Sequence, residues 1–83
     1  MTRFEIFQKV ESENARSKAK YGPWPGNFSS QEQGEAIRRE FAEWYKAFIE
    51  GDIGGEHGEL AELTHVINVA VRRIQYLTWE ADA

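Results

Sequence analysis

Residues 39–65 read REFAEWYKAFIEGDIGGEHGELAELTH, and this stretch decides the fold. At its head Glu40 and Glu43 stand three residues apart, and at its tail Glu62 and His65 do the same. Side chains three or four residues apart share one face of a helix, so each pair predicts a helix that presents two ligand-type groups together. Between the pairs lies GDIGG, residues 51–55, where three glycines in five residues stop helix propagation. Two helices joined by a glycine-rich turn are the minimum this stretch allows.

Working upstream, Ser29 or Ser30 followed a few residues later by glutamate or glutamine is an N-cap signature. The helix it starts carries an apolar stripe of Ile37, Phe41, Trp44, Tyr45 and Phe48, expected to form core. Ahead of it YGPWPGN, Tyr21 to Asn27, holds two prolines and two glycines and reads as a firm loop. A first helix from about Thr2 to Lys20 places Phe4, Phe7 and Val10 at helical spacing. Downstream, a third helix is predicted from about Glu56 to Trp79, with Leu60, Leu63, Val66, Ile67, Ala70, Val71, Ile74 and Leu77 on one broad face. No period-two alternation and no internal repeat occurs. The chain therefore reads as all-α, a three-helix antiparallel chain forming one domain over residues 1–83.

Composition narrows the classes. Apolar residues make up 41% and aromatics 13%, too rich for a disordered segment. An 83-residue chain buries a modest fraction of its surface, which favours completing a larger helical bundle by homo-oligomerisation, as a dimer or tetramer. Trp44, Tyr45, Phe48 and Trp79 exceed what a thin core needs and are expected partly at a subunit interface. The formal charge of -4, with scattered basic residues, argues against a DNA or RNA polymer as partner. Without cysteine there are no disulfides or thiolate metal sites. No apolar run approaches the roughly 18 residues of a membrane span and the start lacks a signal-peptide core, so a cytoplasmic location without membrane contact is expected.

At about 100° per residue, Ala36, Glu40, Glu43 and Ala47 form one strip beside the apolar stripe of the second helix. Glu62, His65, Val69, Arg72 and Tyr76 form the matching strip on the third. Antiparallel packing would bring Glu40, Glu43, Glu62 and His65 to one seam, which is how helix bundles build metal sites. Carboxylates suit Mg²⁺ with room left for substrate phosphates, whereas an imidazole shifts preference toward Mn²⁺ or Zn²⁺. A second register would pair Glu59 with Glu62, although Glu59 falls in the first helical turn, where acids are favoured by the helix dipole. Lys46, Arg72 and Arg73 are candidate phosphate partners against a plain role as surface cations. Trp24 could stack a base or cap the core, and His57 precedes the third helix, where serving that helix's start stands against a ligand role.

The order EFAE, a glycine-containing turn, then ELTHV and an apolar helix resembles the MazG-like superfamily of all-α nucleoside triphosphate pyrophosphohydrolases. The resemblance covers roughly Ala19 to Leu77, including KYG at Lys20 to Gly22. The family pattern is EExxE, a spacer and ExxD on antiparallel helices. Here the blocks are Arg39-Glu40-Phe41-Ala42-Glu43 and Glu62-Leu63-Thr64-His65, with Arg39 in place of the first glutamate and His65 in place of the aspartate. The resemblance implies Mg²⁺ ligation by Glu40, Glu43 and Glu62, with Mn²⁺ an option through His65. It also implies cleavage of a nucleotide or related pyrophosphate between its α and β phosphates. The replaced positions support an alternative, a non-catalytic helical binding or assembly protein that keeps the MazG-like fold.

Overall fold

The computed structural model describes residues 1–78. It holds three helices, α1 (Arg3–Tyr21), α2 (Ser30–Glu50) and α3 (Glu59–Leu77), and no strand among the described residues. None of them is long and apolar enough to cross a membrane. Trp79, expected to close the third helix and to join the interface aromatics, lies outside the described residues.

The second helix starts where its cap signal places it, with Ser29 as the N-cap. The Ser29 hydroxyl accepts from the Glu32 N–H at 3.1 Å, and the Glu32 carboxylate accepts from the Ser29 N–H at 2.9 Å. Thr2 and Glu5 make the same reciprocal pair ahead of α1. Such boxes satisfy two backbone donors that a helix start otherwise leaves open. α2 ends at Gly51, which takes a left-handed conformation with φ 72° and bonds back to the Ala47 and Phe48 carbonyls.

α3 starts at Glu59 instead of Glu56, and the turn explains why. Asp52 gathers residues 51–58 around itself: its Oδ1 accepts from the Gly55 N–H at 2.9 Å and its carbonyl accepts from the Glu59 N–H at 2.8 Å. The fit excludes side chains. A Cβ on Gly55 would stand 2.6 Å from the Asp52 carboxylate, and one on Gly58 would stand 2.8 Å from the Asp52 carboxylate and the Ile53 carbonyl. Glu56 and His57 are held in this knot and cannot join the helix.

Cross-links fix the directions. Trp44 near the end of α2 donates its indole N–H to Glu59 at the start of α3, at 3.1 Å. At the opposite end Arg73 of α3 donates to Ser30 and Gln33 at the start of α2. The two helices are therefore antiparallel. α1 runs alongside α3 in the same direction, with Arg72 donating to the Gly22 carbonyl just past the end of α1 at 2.8 Å. α3 packs against both of the other helices.

The packing corrects one expectation from the sequence. The apolar stripe of α2 was expected to form the core, yet Phe41, Tyr45 and Phe48 are 54%, 49% and 53% exposed. Leu60, Ile74 and Leu77 of the α3 stripe are exposed as well. What the chain folds around is the neighbouring strip: Gln33 and Ala47 of α2 and Glu62, Asn68, Val69 and Arg72 of α3 are buried. Alanine at positions 36 and 47 lets α2 approach α3 on that strip, where the large aromatics would hold it away.

Candidate metal centre

α3 forms the floor of a cavity of about 620 Å³, with α1 on one side and α2 on the other. This volume lies within the range of ordinary small-molecule sites. Its wall includes Glu40 and Glu43 of α2, Glu62 and His65 of α3, and Glu13 of α1.

Helix phase brings Glu40, Glu62 and His65 together. One ligand atom from each lies within 4.8 Å of the others. His65 Nδ1 is 3.3 Å from Glu62 Oε2 and 3.8 Å from Glu40 Oε2. Two atoms that each bind one small divalent cation at roughly 2.1 Å stand about 3 to 4.2 Å apart, depending on whether they are adjacent or opposite. Both separations from His65 Nδ1 fall in that window.

The electrostatics point the same way. Glu40 Oε2 is buried and has no hydrogen-bond partner, which a carboxylate oxygen tolerates poorly. Burial foremost, and then the hydrogen bond and charge of Glu43, push the Glu40 carboxyl up to about 7, against the partial relief offered by His65. Glu62 is 3% exposed, and its other oxygen lies 3.5 Å from Nδ1 of the exposed His57. A buried acid, Glu62, beside a half-buried one, Glu40, whose inner oxygen is orphaned, is a good fit for a positive ion.

Other expected residues take varied places. Glu43 is exposed beside Glu40 and stays outside the three-atom cluster. Glu59 accepts from the Trp44 indole and is not in the cluster of Glu40, Glu62 and His65. Trp24 is buried, with the Arg72 guanidinium over its ring at 5.1 Å, and both residues line the cavity. Arg73 is tied to Ser30 and Gln33, and Lys46 is exposed away from the cavity lining. Arg39, at the position where the family pattern has an acid, lines the cavity.

Sequence reasoning missed Glu13. Its Oε1 lies 3.7 Å from His65 Nε2, and its carboxyl is held below the ordinary range, chiefly by its hydrogen bonds from Arg16. The residue sits in a polar run with no spacing signal, and only the placement of α1 against α3 brings it to the site. Asn68, 3% exposed on the cavity floor with its Oδ1 unpartnered, was missed as well, although its place three residues after His65 on the same helix was a spacing signal that could have found it.

No family model, curated protein or solved structure matches the chain.

Proposed function

We propose that the chain is a metal-dependent nucleoside triphosphate pyrophosphohydrolase of the MazG-like kind that works as a homo-oligomer. The observation that supports it best is the cluster of Glu40, Glu62 and His65 on the wall of a nucleotide-sized cavity, with Glu40 Oε2 buried and unpartnered. These three residues would hold the cation. When bound, a divalent cation supplies charge neutralisation at the phosphates and acidifies an attacking water. An imidazole among the ligands favours Mn²⁺ over Mg²⁺.

The chain's own groups supply the rest. Glu43, exposed next to Glu40, orients the water and takes its proton. Arg39 and Arg72 meet the phosphates from the cavity wall. Water adds to the α-phosphorus, the bond to the oxygen bridging the α and β phosphates breaks, and nucleoside monophosphate and pyrophosphate leave. A second copy covers the apolar stripes of α2 and α3, where Phe41, Tyr45 and Phe48 form one ring cluster around Trp44 with centroids 5.4 to 6.1 Å away.

The test is incubation with a panel of ribo- and deoxyribonucleoside triphosphates, with Mg²⁺ and separately with Mn²⁺, following products by chromatography. Monophosphate plus pyrophosphate, lost in Glu43→Gln, is the expected result. No turnover with either ion sinks the enzymatic reading. It would leave the non-catalytic assembly protein, which the exposed aromatic face favours independently of the acids.

A further inference from the structure

We infer that Glu13 of α1 is the positioning residue of this centre: its carboxylate charge, 3.7 Å from His65 Nε2, favours the ring proton on that nitrogen and so leaves Nδ1 bare toward the cation held by Glu40 and Glu62. The inference rests on the metal reading above and adds to it a helix that carries none of the cation's own ligands.

A neutral imidazole has one proton for two nitrogens, and only the unprotonated nitrogen can ligate a metal. In this chain the two nitrogens face different helices. Nδ1 lies 3.3 Å from Glu62 and 3.8 Å from Glu40. Nε2 lies 3.7 Å from Glu13 Oε1. A cation shared with Glu40 and Glu62 must use Nδ1, because that nitrogen is on their side of the ring. The proton then belongs on Nε2, facing Glu13.

The competing tautomer shows why a partner is needed. With the proton on Nδ1, His65 would donate to Glu62 Oε2 at 3.3 Å, turning a ligand into a donor and tying up a carboxylate oxygen. Glu13 opposes this by offering a charged acceptor on the other side. It is also anchored: Arg16 donates from Nε to Oε2 at 3.0 Å and from Nη2 to Oε1 at 2.6 Å, and the Ser17 hydroxyl donates to Oε1 at 3.4 Å. Metal-bound histidines are commonly fixed by such a carboxylate on the second ring nitrogen.

An aspartate at position 65 would have no second ring nitrogen to orient, which provides the control. Mn²⁺ affinity is measured by titration calorimetry on the full chain as wild type, Glu13→Ala, His65→Asp and the double variant, with helix content checked by circular dichroism. Glu13→Ala is expected to weaken Mn²⁺ by about 10- to 100-fold, and Glu13→Gln, which keeps an acceptor oxygen, to recover part of the loss. In the His65→Asp background Glu13→Ala should change affinity by no more than about fivefold, the range of an exposed charge. Equal losses in both backgrounds, or no loss in either, overturn the inference and leave the metal centre standing. A wild-type chain that binds no Mn²⁺ overturns the metal reading and this inference together. Should Glu13→Ala fail to fold, nitrogen NMR of the wild type loaded with Cd²⁺ decides: ligation at Nδ1 with the proton on Nε2 supports the role, and ligation at Nε2 removes it.

Discussion

The two faces of the α2–α3 pair are filled in the opposite order from most small helical proteins. The inner face is lined by short and polar groups, with Glu62 at 3% exposure and Gln33 at 0%. The outer face carries the aromatic and aliphatic bulk, with Phe41 at 54% and Ile74 at 60%. The contrast teaches that a helix's largest apolar face need not be the one its own chain covers. Here the buried strip is the one that gathers acids, and the large apolar residues are left exposed.

The comparison breaks most sharply if the two faces cannot be altered separately. Glu62→Ala should abolish measurable Mn²⁺ binding in calorimetry while sedimentation still reports the wild-type oligomer. Phe48→Glu should do the reverse. A central aromatic contact is worth 2 kcal/mol or more, so self-association should weaken by at least about 30-fold, with Mn²⁺ affinity nearly unchanged. A wild-type chain that sediments as a monomer at all concentrations would remove the second copy from the account.

A pH series sharpens the inner face. Glu40 titrates at about 7 when folded, against an ordinary value of 4.5. Between those values the folded chain holds more protons than the unfolded one, so metal-free stability should fall as pH rises through that window. Glu40→Gln should flatten the slope in urea unfolding and leave the variant more stable than wild type at pH 8. The groups facing Glu40 are Glu43, Glu62 and His65, and saturating Mn²⁺ should offset the decline. The smallest effect belongs to Ser29→Ala, which touches neither face. Loss of the cap should cost about 1 kcal/mol, lowering Tm by roughly 4–8 °C, with metal binding and oligomeric state unaltered.

Much of this was legible in the sequence, and for local reasons. Two prolines and two glycines at 21–27, the Ser29 cap and Gly51 are signals carried within a few residues, and the helix bounds follow them closely. Glu40, Glu62 and His65 were legible because helical spacing fixes which side chains share a face. The burial order was not legible, because the size of an apolar stripe does not say which molecule covers it. Nor was Glu13, since its relation to His65 depends on how α1 lies across α3, a tertiary fact with no periodic trace. The late start of α3 required knowing that Asp52 would bind the following turn to itself.

That turn has a consequence beyond ending one helix and starting another. Because Asp52 bonds to both Gly55 and the first residue of α3, and a Cβ at Gly58 would meet the Gly55 and Ile53 backbone at 2.8 Å, the arc between α2 and α3 is tightly drawn. Adding or deleting one residue within it would break the Asp52 bonds to Gly55 and Glu59 and with them the placement of Glu62 and His65 against Glu40, without changing any of those three side chains. The turn thus acts as a phase gauge for the cluster of Glu40, Glu62 and His65.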